Sequence, residues 1–283
     1  MQQREGFSAR TLALSAAAAE LGRVILREEQ SGSVRAVLLG NMLAAAALVL
    51  LAVLVFWNAA RLRRPGFVSN CCCAAFLLWY LWELARTAAM IQKVCWEQFS
   101  SMAFFGLLPL LLWAGWSLGC ELYDRMTAVL GALVVLGSLF CLLGLAGQLE
   151  WQHLVMGEAD RSVALPDVFL YPEYFSFQLL CAGENTSKTS QKSALWLPVI
   201  PALISSGYAL GLALLFGAPQ GYPGYELLRA WSFGGISRFD AAFLLLWLAA
   251  AIFRFCFLVR TARLLYERLA GRPSGTAGAE AAR

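Results

Sequence analysis

Runs of about twenty apolar residues recur along this chain, and no other feature limits its fold so strongly. Residues 36–60, AVLLGNMLAAAALVLLAVLVFWNAA, contain no charge at all. At 1.5 Å per helical residue, such a run matches the roughly 30 Å hydrocarbon core of a bilayer. Further runs lie at about 67–92, 99–120, 127–149, 194–217 and 239–259. Only 14% of the residues are charged against 60% hydrophobic, where a soluble domain carries roughly 25% charged. The expected fold is an all-α integral membrane protein of six transmembrane helices.

Five stretches organise the chain. Residues 1–35 carry Leu14, Leu21, Val24 and Ile25 near helical spacing, with Glu20, Arg23 and Arg27 opposite. That pattern suits an N-terminal amphipathic helix lying on the membrane surface. Residues 36–150 form a four-helix membrane segment, and 194–270 a two-helix one. The tail 271–283 has the composition of a disordered segment. Between the two membrane segments, 151–193 is a long polar loop rich in aromatics, with Phe169, Tyr171, Tyr174, Phe175 and Phe177 beside Asp167, Pro172 and Glu173. It is too broken to span and is expected to be partly embedded, since aromatic side chains favour the headgroup zone.

Charges inside the apolar runs are the candidate functional groups. Glu83 lies near the middle of the second run, and Arg86 one turn on can pair with it along one face. A charge at that depth costs several kcal/mol by insertion scales and commonly marks a path for ions or solutes. Arg254 stands close to the basic end of the last run (Arg260, Arg263, Arg268) and is expected to snorkel towards it.

Several chemistries are disfavoured. The chain holds one histidine, His153, so metal and haem sites that need two or more are not expected, and neither is a bound cofactor. Gly115-Trp116-Ser117-Leu118-Gly119 has the spacing of a nucleophile elbow, but it lies within an apolar helix with no acid–histidine pair. As GxxxG the same residues form a flat packing face, repeated at Gly207 and Gly211. No intramembrane enzyme is therefore expected. The net charge of +4 is spread over loops and ends, so nucleic acid is not an expected partner. The expected partners are the lipid bilayer and other membrane subunits or further copies of the chain.

Asn185-Thr186-Ser187 is a glycosylation sequon, and Cys95 could pair with Cys181 if both face an oxidising compartment. With Gly40-Asn41 and Tyr123-Asp124-Arg125, these cysteines resemble marks of rhodopsin-type receptors. However, Met126 follows Arg125, Asn41 sits in the first turns of its run, and a seventh run is lacking. The chain is not assigned to that family. For six spans the charge distribution puts both termini in the cytoplasm, with Arg61, Arg63 and Arg64 voting against it. The sequon requires the inverse. The leading expectation is a transporter- or channel-like protein with a polar path at Glu83 and Arg86, in the endomembrane system or plasma membrane. The alternatives are an accessory subunit of a larger assembly and a receptor with a glycosylated, disulfide-tied loop.

Overall fold

A computed structural model describes residues 7–26, 34–58, 66–100, 102–152, 170–180, 195–216, 230, 232–233, 236–237 and 240–270. The architecture is helical: α1 (Ala9–Ile25), α2 (Val34–Trp57), α3 (Phe67–Phe99), α4 (Ala103–Ser117), α5 (Cys120–Ala146), α6 (Glu173–Leu180), α7 (Val199–Phe216) and α8 (Asp240–Leu269). Between α7 and α8, β1 (Ser232–Phe233) and β2 (Ile236–Ser237) form a two-residue antiparallel pair. Five helices, α2, α3, α5, α7 and α8, are long and apolar enough to cross a membrane, and α4 is a shorter apolar helix. Of the six expected spans, the third therefore falls on a helix of fifteen residues, interrupted by Pro109.

The helices are patterned inside out. On α2, Val37, Asn41, Ala45, Leu48 and Ala52 face inward at three- and four-residue spacing, whereas Leu39, Met42, Leu43, Leu50 and Leu54 are all more than half exposed. On α5 the exposed stripe is Leu122, Met126, Val129, Leu133, Leu136 and Leu143. A helix bathed in water keeps such residues for the core and turns charge outward. Here the outer face is the greasier one. An apolar surface this extensive is rare on soluble monomers and is compatible with a multi-pass membrane protein.

The N-terminal helix departs from expectation. α1 is not a surface helix: Leu12, Ser15, Ala16 and Glu20 are wholly buried, and α8, α7, α5, α6 and α3 surround it. Its small side chains allow the close fit. A Cβ on Gly22 would come within 2.8 Å of the Trp247 ring, whose indole N–H donates to the Ala18 carbonyl at 3.2 Å. Ser8 caps the helix, its hydroxyl accepting from the Thr11 N–H at 3.3 Å. The Ser8 N–H and the Thr11 hydroxyl then donate to the Asp124 carboxylate on α5, at 3.1 and 2.6 Å. The polar side of α1 thus faces protein, which helical periodicity alone cannot separate from water.

Helix directions follow from who touches whom along α8, the axis of the bundle. Phe7 packs at a tilt against Phe257, Ser15 meets Arg254, and Gly22 meets Trp247, so α1 runs antiparallel to α8. α3 does likewise, because Glu83 and Thr87 meet Arg254 while Met90 lies with Trp247 against Gly22. α5 is antiparallel too: the Tyr123 hydroxyl donates to the Cys256 carbonyl at 3.0 Å, and Gly137 lies against Leu246 and Phe243. The Glu150 N–H, just past α5, donates to the Leu214 carbonyl near the end of α7 at 3.1 Å. α7 therefore begins at the opposite end of the bundle from where α5 stops. Between them in sequence, α6 packs against α1, α2 and α8.

The four glycines of the GxxxG stretches sit in different surroundings. Gly115 is buried, and a Cβ there would sit 2.8 Å from both the Cys256 carbonyl and the Val259 Cβ on α8. Gly119 and Gly207 are exposed with nothing within 4 Å, and Gly211 is half-buried on α7. Replacing Gly115 by alanine is expected to destabilise by about 1–3 kcal/mol, because the backbone of α8 must give way. Gly207→Ala is expected to stay within about 1 kcal/mol of the parent. Thermal unfolding in detergent distinguishes them, and equal midpoints for the two variants would remove Gly115 from the interface.

Candidate functional site

A guanidinium with no access to solvent forms the centre of the molecule. α8 is thirty residues long and reaches Leu269, past the expected end of the last span, so Arg254 stands mid-helix and does not snorkel. Its side chain is 1% exposed, and extracting an ion from water costs several kcal/mol unless partners replace the hydration. Partners come from three other elements. Nη2 donates to Glu83 Oε2 on α3 at 2.9 Å. Nη1 donates to Glu173 Oε1 on α6 at 2.5 Å and to the carbonyl and hydroxyl oxygens of Ser15 on α1 at 2.7 and 2.9 Å. Nε reaches the Thr87 hydroxyl at 3.4 Å. The guanidinium also lies 5.3 Å from the centroid of the Tyr171 ring, within cation–π range.

The two carboxylates arrive by different routes. Glu83 is carried on the rigid middle of α3. Glu173 opens α6, an eight-residue helix whose first turn is set by Pro172, the Pro172 carbonyl accepting from the Ser176 N–H at 3.0 Å. The segment is locked around it. Ser15 Oγ donates to Glu173 Oε1 at 2.8 Å, Tyr80 and Ser176 share a hydroxyl hydrogen bond of 2.6 Å, and Tyr171 donates to Glu20 Oε2 at 2.7 Å. Glu20 in turn accepts from Arg23 at 2.7 Å. The stretch expected to lie half-embedded in headgroups has Tyr171, Glu173, Tyr174 and Ser176 buried inside the helical bundle.

The charge inventory of the cluster closes with one asymmetry. Glu20, Glu83 and Glu173 are fully buried against one buried guanidinium, and Arg23 and Arg86 at the periphery supply the other two positive charges. The expected Glu83–Arg86 pair exists, but at 3.5 Å with the Arg86 side chain 43% exposed, so its share is a few tenths of a kcal/mol. Arg254 is the principal partner of Glu83. Among the described residues Glu173 has no second cation, and its Oε2, like the Tyr174 hydroxyl, is buried without a hydrogen-bond partner.

The remaining sequence candidates lie elsewhere. Cys95 is a buried free thiol, while Cys181, Asn185 and His153 fall outside the described residues. The Ser117 hydroxyl donates back to the Trp113 carbonyl at 2.8 Å. Among the described residues no group of three or more His, Cys, Asp or Glu is placed to hold a metal ion. Where α4 ends, Arg260 and Arg263 of α8 donate to the Trp116 carbonyl and Arg263 lies over the Trp116 ring, satisfying an otherwise orphaned helix end.

No protein-family model, characterised protein or solved structure matches this chain. Its function has to be argued from the cluster itself.

Removing the guanidinium alone strands two buried carboxylates. Arg254→Met is expected to cost about 3–5 kcal/mol, and the triple change Arg254→Met, Glu83→Gln, Glu173→Gln to recover much of that loss. Thermal unfolding of the detergent-purified variants provides the comparison. A triple variant no more stable than Arg254→Met would mean that the carboxylates do not depend on the arginine.

Proposed function

We propose that this chain is a multi-pass membrane transport protein whose polar path passes through the Arg254–Glu83–Glu173 cluster. One observation carries the reading: a fully buried guanidinium is shared by two carboxylates from separate elements, halfway along the thirty-residue α8. Charges at bilayer depth are costly and are kept chiefly where ions, protons or polar solutes pass. Glu173 arrives on α6, a helix of eight residues, too short to cross a bilayer by itself. Non-helical backbone at membrane depth is tolerated where protein buries it or where it lines a polar cavity.

The helix directions support a particular membrane arrangement. In a bilayer, α1 to α5, the 170–180 stretch, α7 and α8 make eight crossings, with both termini on one side. That side also receives Arg61, Arg63 and Arg64, then Lys188 and Lys192, then the tail with Arg268 and Arg272. The other side receives Arg27, Arg161, Arg229 and Arg238 among Glu28, Glu29, Glu158, Asp160 and Asp167. The positive-inside rule then makes the terminal side cytoplasmic. The conflict posed by six spans disappears, because the Arg61–Arg64 cluster joins the cytoplasmic face. Asn185 lies on that face too, which disfavours a glycosylated receptor loop.

Two measurements test the proposal. Epitope tags inserted after Gly157 and after Thr186 are expected on opposite membrane faces by protease protection, with the latter on the side of both termini. Tags on the same face would refute a crossing at 170–180. For function, purified protein in liposomes on a capacitive electrode is challenged with a panel of small polar solutes. Solute-evoked currents are expected in the parent and to fall at least about tenfold in a folded Glu83→Gln variant, the loss of one charged interaction. Unchanged currents would remove Glu83 from the path. A stoichiometric companion in the preparation and no current would favour an assembly subunit.

A further inference from the structure

We propose that Cys71 and Cys72 form an S-acylation site, where a fatty acyl chain is attached at the cytoplasmic edge of the membrane. The inference goes beyond the transport reading and rests only on the membrane orientation argued with it. Among the described cysteines, Cys71 is exposed and Cys72 half-buried, whereas Cys73, Cys95, Cys120, Cys141 and Cys256 are buried. Cys71 and Cys72 stand in the second turn of α3. The exposed side of that helix runs from Phe67 through Cys71 to Leu78 and Trp82. Steps of four and seven residues keep these four on one face. Phe67, Leu78 and Trp82 are each more than two-thirds exposed, so the Cys71 thiol shares the surroundings of a lipid-facing stripe.

Depth along the helix agrees. Glu83 is the middle residue of α3 and meets Arg254 at the middle of α8, so a bilayer that fits both helices is centred on that pair. Its hydrocarbon core ends about 15 Å away. Cys71 stands twelve residues before Glu83, about 18 Å along the axis. The thiols thus lie where acyl chains meet headgroups. The side follows from the helix directions. α3 is antiparallel to α8, so its start lies by the basic end of α8, with Arg268 near Cys73. Arg61, Arg63 and Arg64 precede it in the chain, and the positive-inside rule makes this face cytoplasmic. Juxtamembrane cysteines there are acceptors of reversible S-acylation. The thiol sulfur attacks the carbonyl carbon of a fatty acyl-coenzyme A. A C–S bond to the cysteine forms, the donor's C–S bond breaks, and the cysteine proton leaves on the coenzyme A thiol. The attached chain lies in the leaflet beside Leu78 and Trp82. Cys73, at 0% exposure, offers it no such path.

Acyl exchange on the full chain from its native membranes tests the site. Free thiols are blocked, thioesters are cleaved with neutral hydroxylamine, and the released thiols take a polyethylene glycol maleimide tag. A hydroxylamine-dependent gain of one or two tags is expected in the parent and in Cys181→Ser. It is expected to vanish in the double change Cys71→Ser, Cys72→Ser. A parent without the gain overturns the proposal, as does a gain that survives the double change or disappears in Cys181→Ser. Should the double variant fail to fold, fragment mass spectrometry of the parent decides. The acyl group is expected on the fragment holding Cys71 and Cys72, and its presence only elsewhere refutes the site. Protease protection of tags at the termini separates the two ways of failing. No acyl group with both termini outside refutes the orientation, and no acyl group with both termini cytoplasmic refutes the site alone. An acylated parent that evokes no solute current keeps the site and defeats the transport reading.

Discussion

Arg254 sets the terms on which everything else in this bundle can pack. A guanidinium excluded from solvent must have its hydration replaced in full, and no single helix can do that. α8 presents the cation, α3 and α6 each deliver a carboxylate, and α1 contributes a backbone carbonyl and a hydroxyl. The consequence is topological. α1 has to run inside the bundle for Ser15 to reach Arg254, and α6 has to pack inside it for Glu173 to do so. Two segments whose composition suits an interface or a loop are thereby drawn inward.

Around the cluster, small groups and polar ties work alongside an apolar core that includes Trp247, Phe253, Phe255 and Phe257. If lipid surrounds the outer face, its tails are as apolar as leucine, and bringing two helices together gains little from the hydrophobic effect. Close approach then matters, which is why Gly22 and Gly115 sit where Trp247 and the α8 backbone press nearest. Hydroxyl and amide bonds do the fastening: Tyr123 to the Cys256 carbonyl, Thr11 to Asp124, and Asn41 donating to Ser206 at 3.1 Å. The outward leucine stripes of α2 and α5 fasten nothing within the chain.

Legibility in the sequence followed how local each signal was. Continuous apolar runs reveal helices, and α2, α3, α5, α7 and α8 fall on them. Glu83 stands out because a carboxylate in such a run has no cheap explanation. Arg254 was legible as a charge but not in its role, since distance to the basic residues beyond it suggested an escape that a thirty-residue helix does not allow. α1 was misjudged for a deeper reason. Helical periodicity shows that Glu20 and Arg23 share a face, but it cannot say whether that face meets water or other side chains. Glu173 was hidden by Asp167 and Pro172, the residues that make its stretch read as loop. The one usable hint was Pro-Glu ahead of Tyr-Phe-Ser-Phe, a helix start followed by aromatics too dense for a solvated turn.

The asymmetry between the two carboxylates gives the cluster a possible sense of direction. Glu83 sits within a thirty-three-residue helix and has Arg86 towards the surface as a second partner. Glu173 sits on eight residues of helix, tied at Tyr171 on one side and Ser176 on the other. A change in the balance of charge around Arg254 would therefore be absorbed unequally. α3 is braced along its length by α8, while α6 touches α8 over a much shorter stretch centred on Glu173. Stiffness and charge compensation coincide on Glu83, and compliance and the unpartnered oxygen coincide on Glu173. A site built in this way has two carboxylates of unequal support sharing a single cation, so a local event at the less supported one can move one element and leave its neighbours in place.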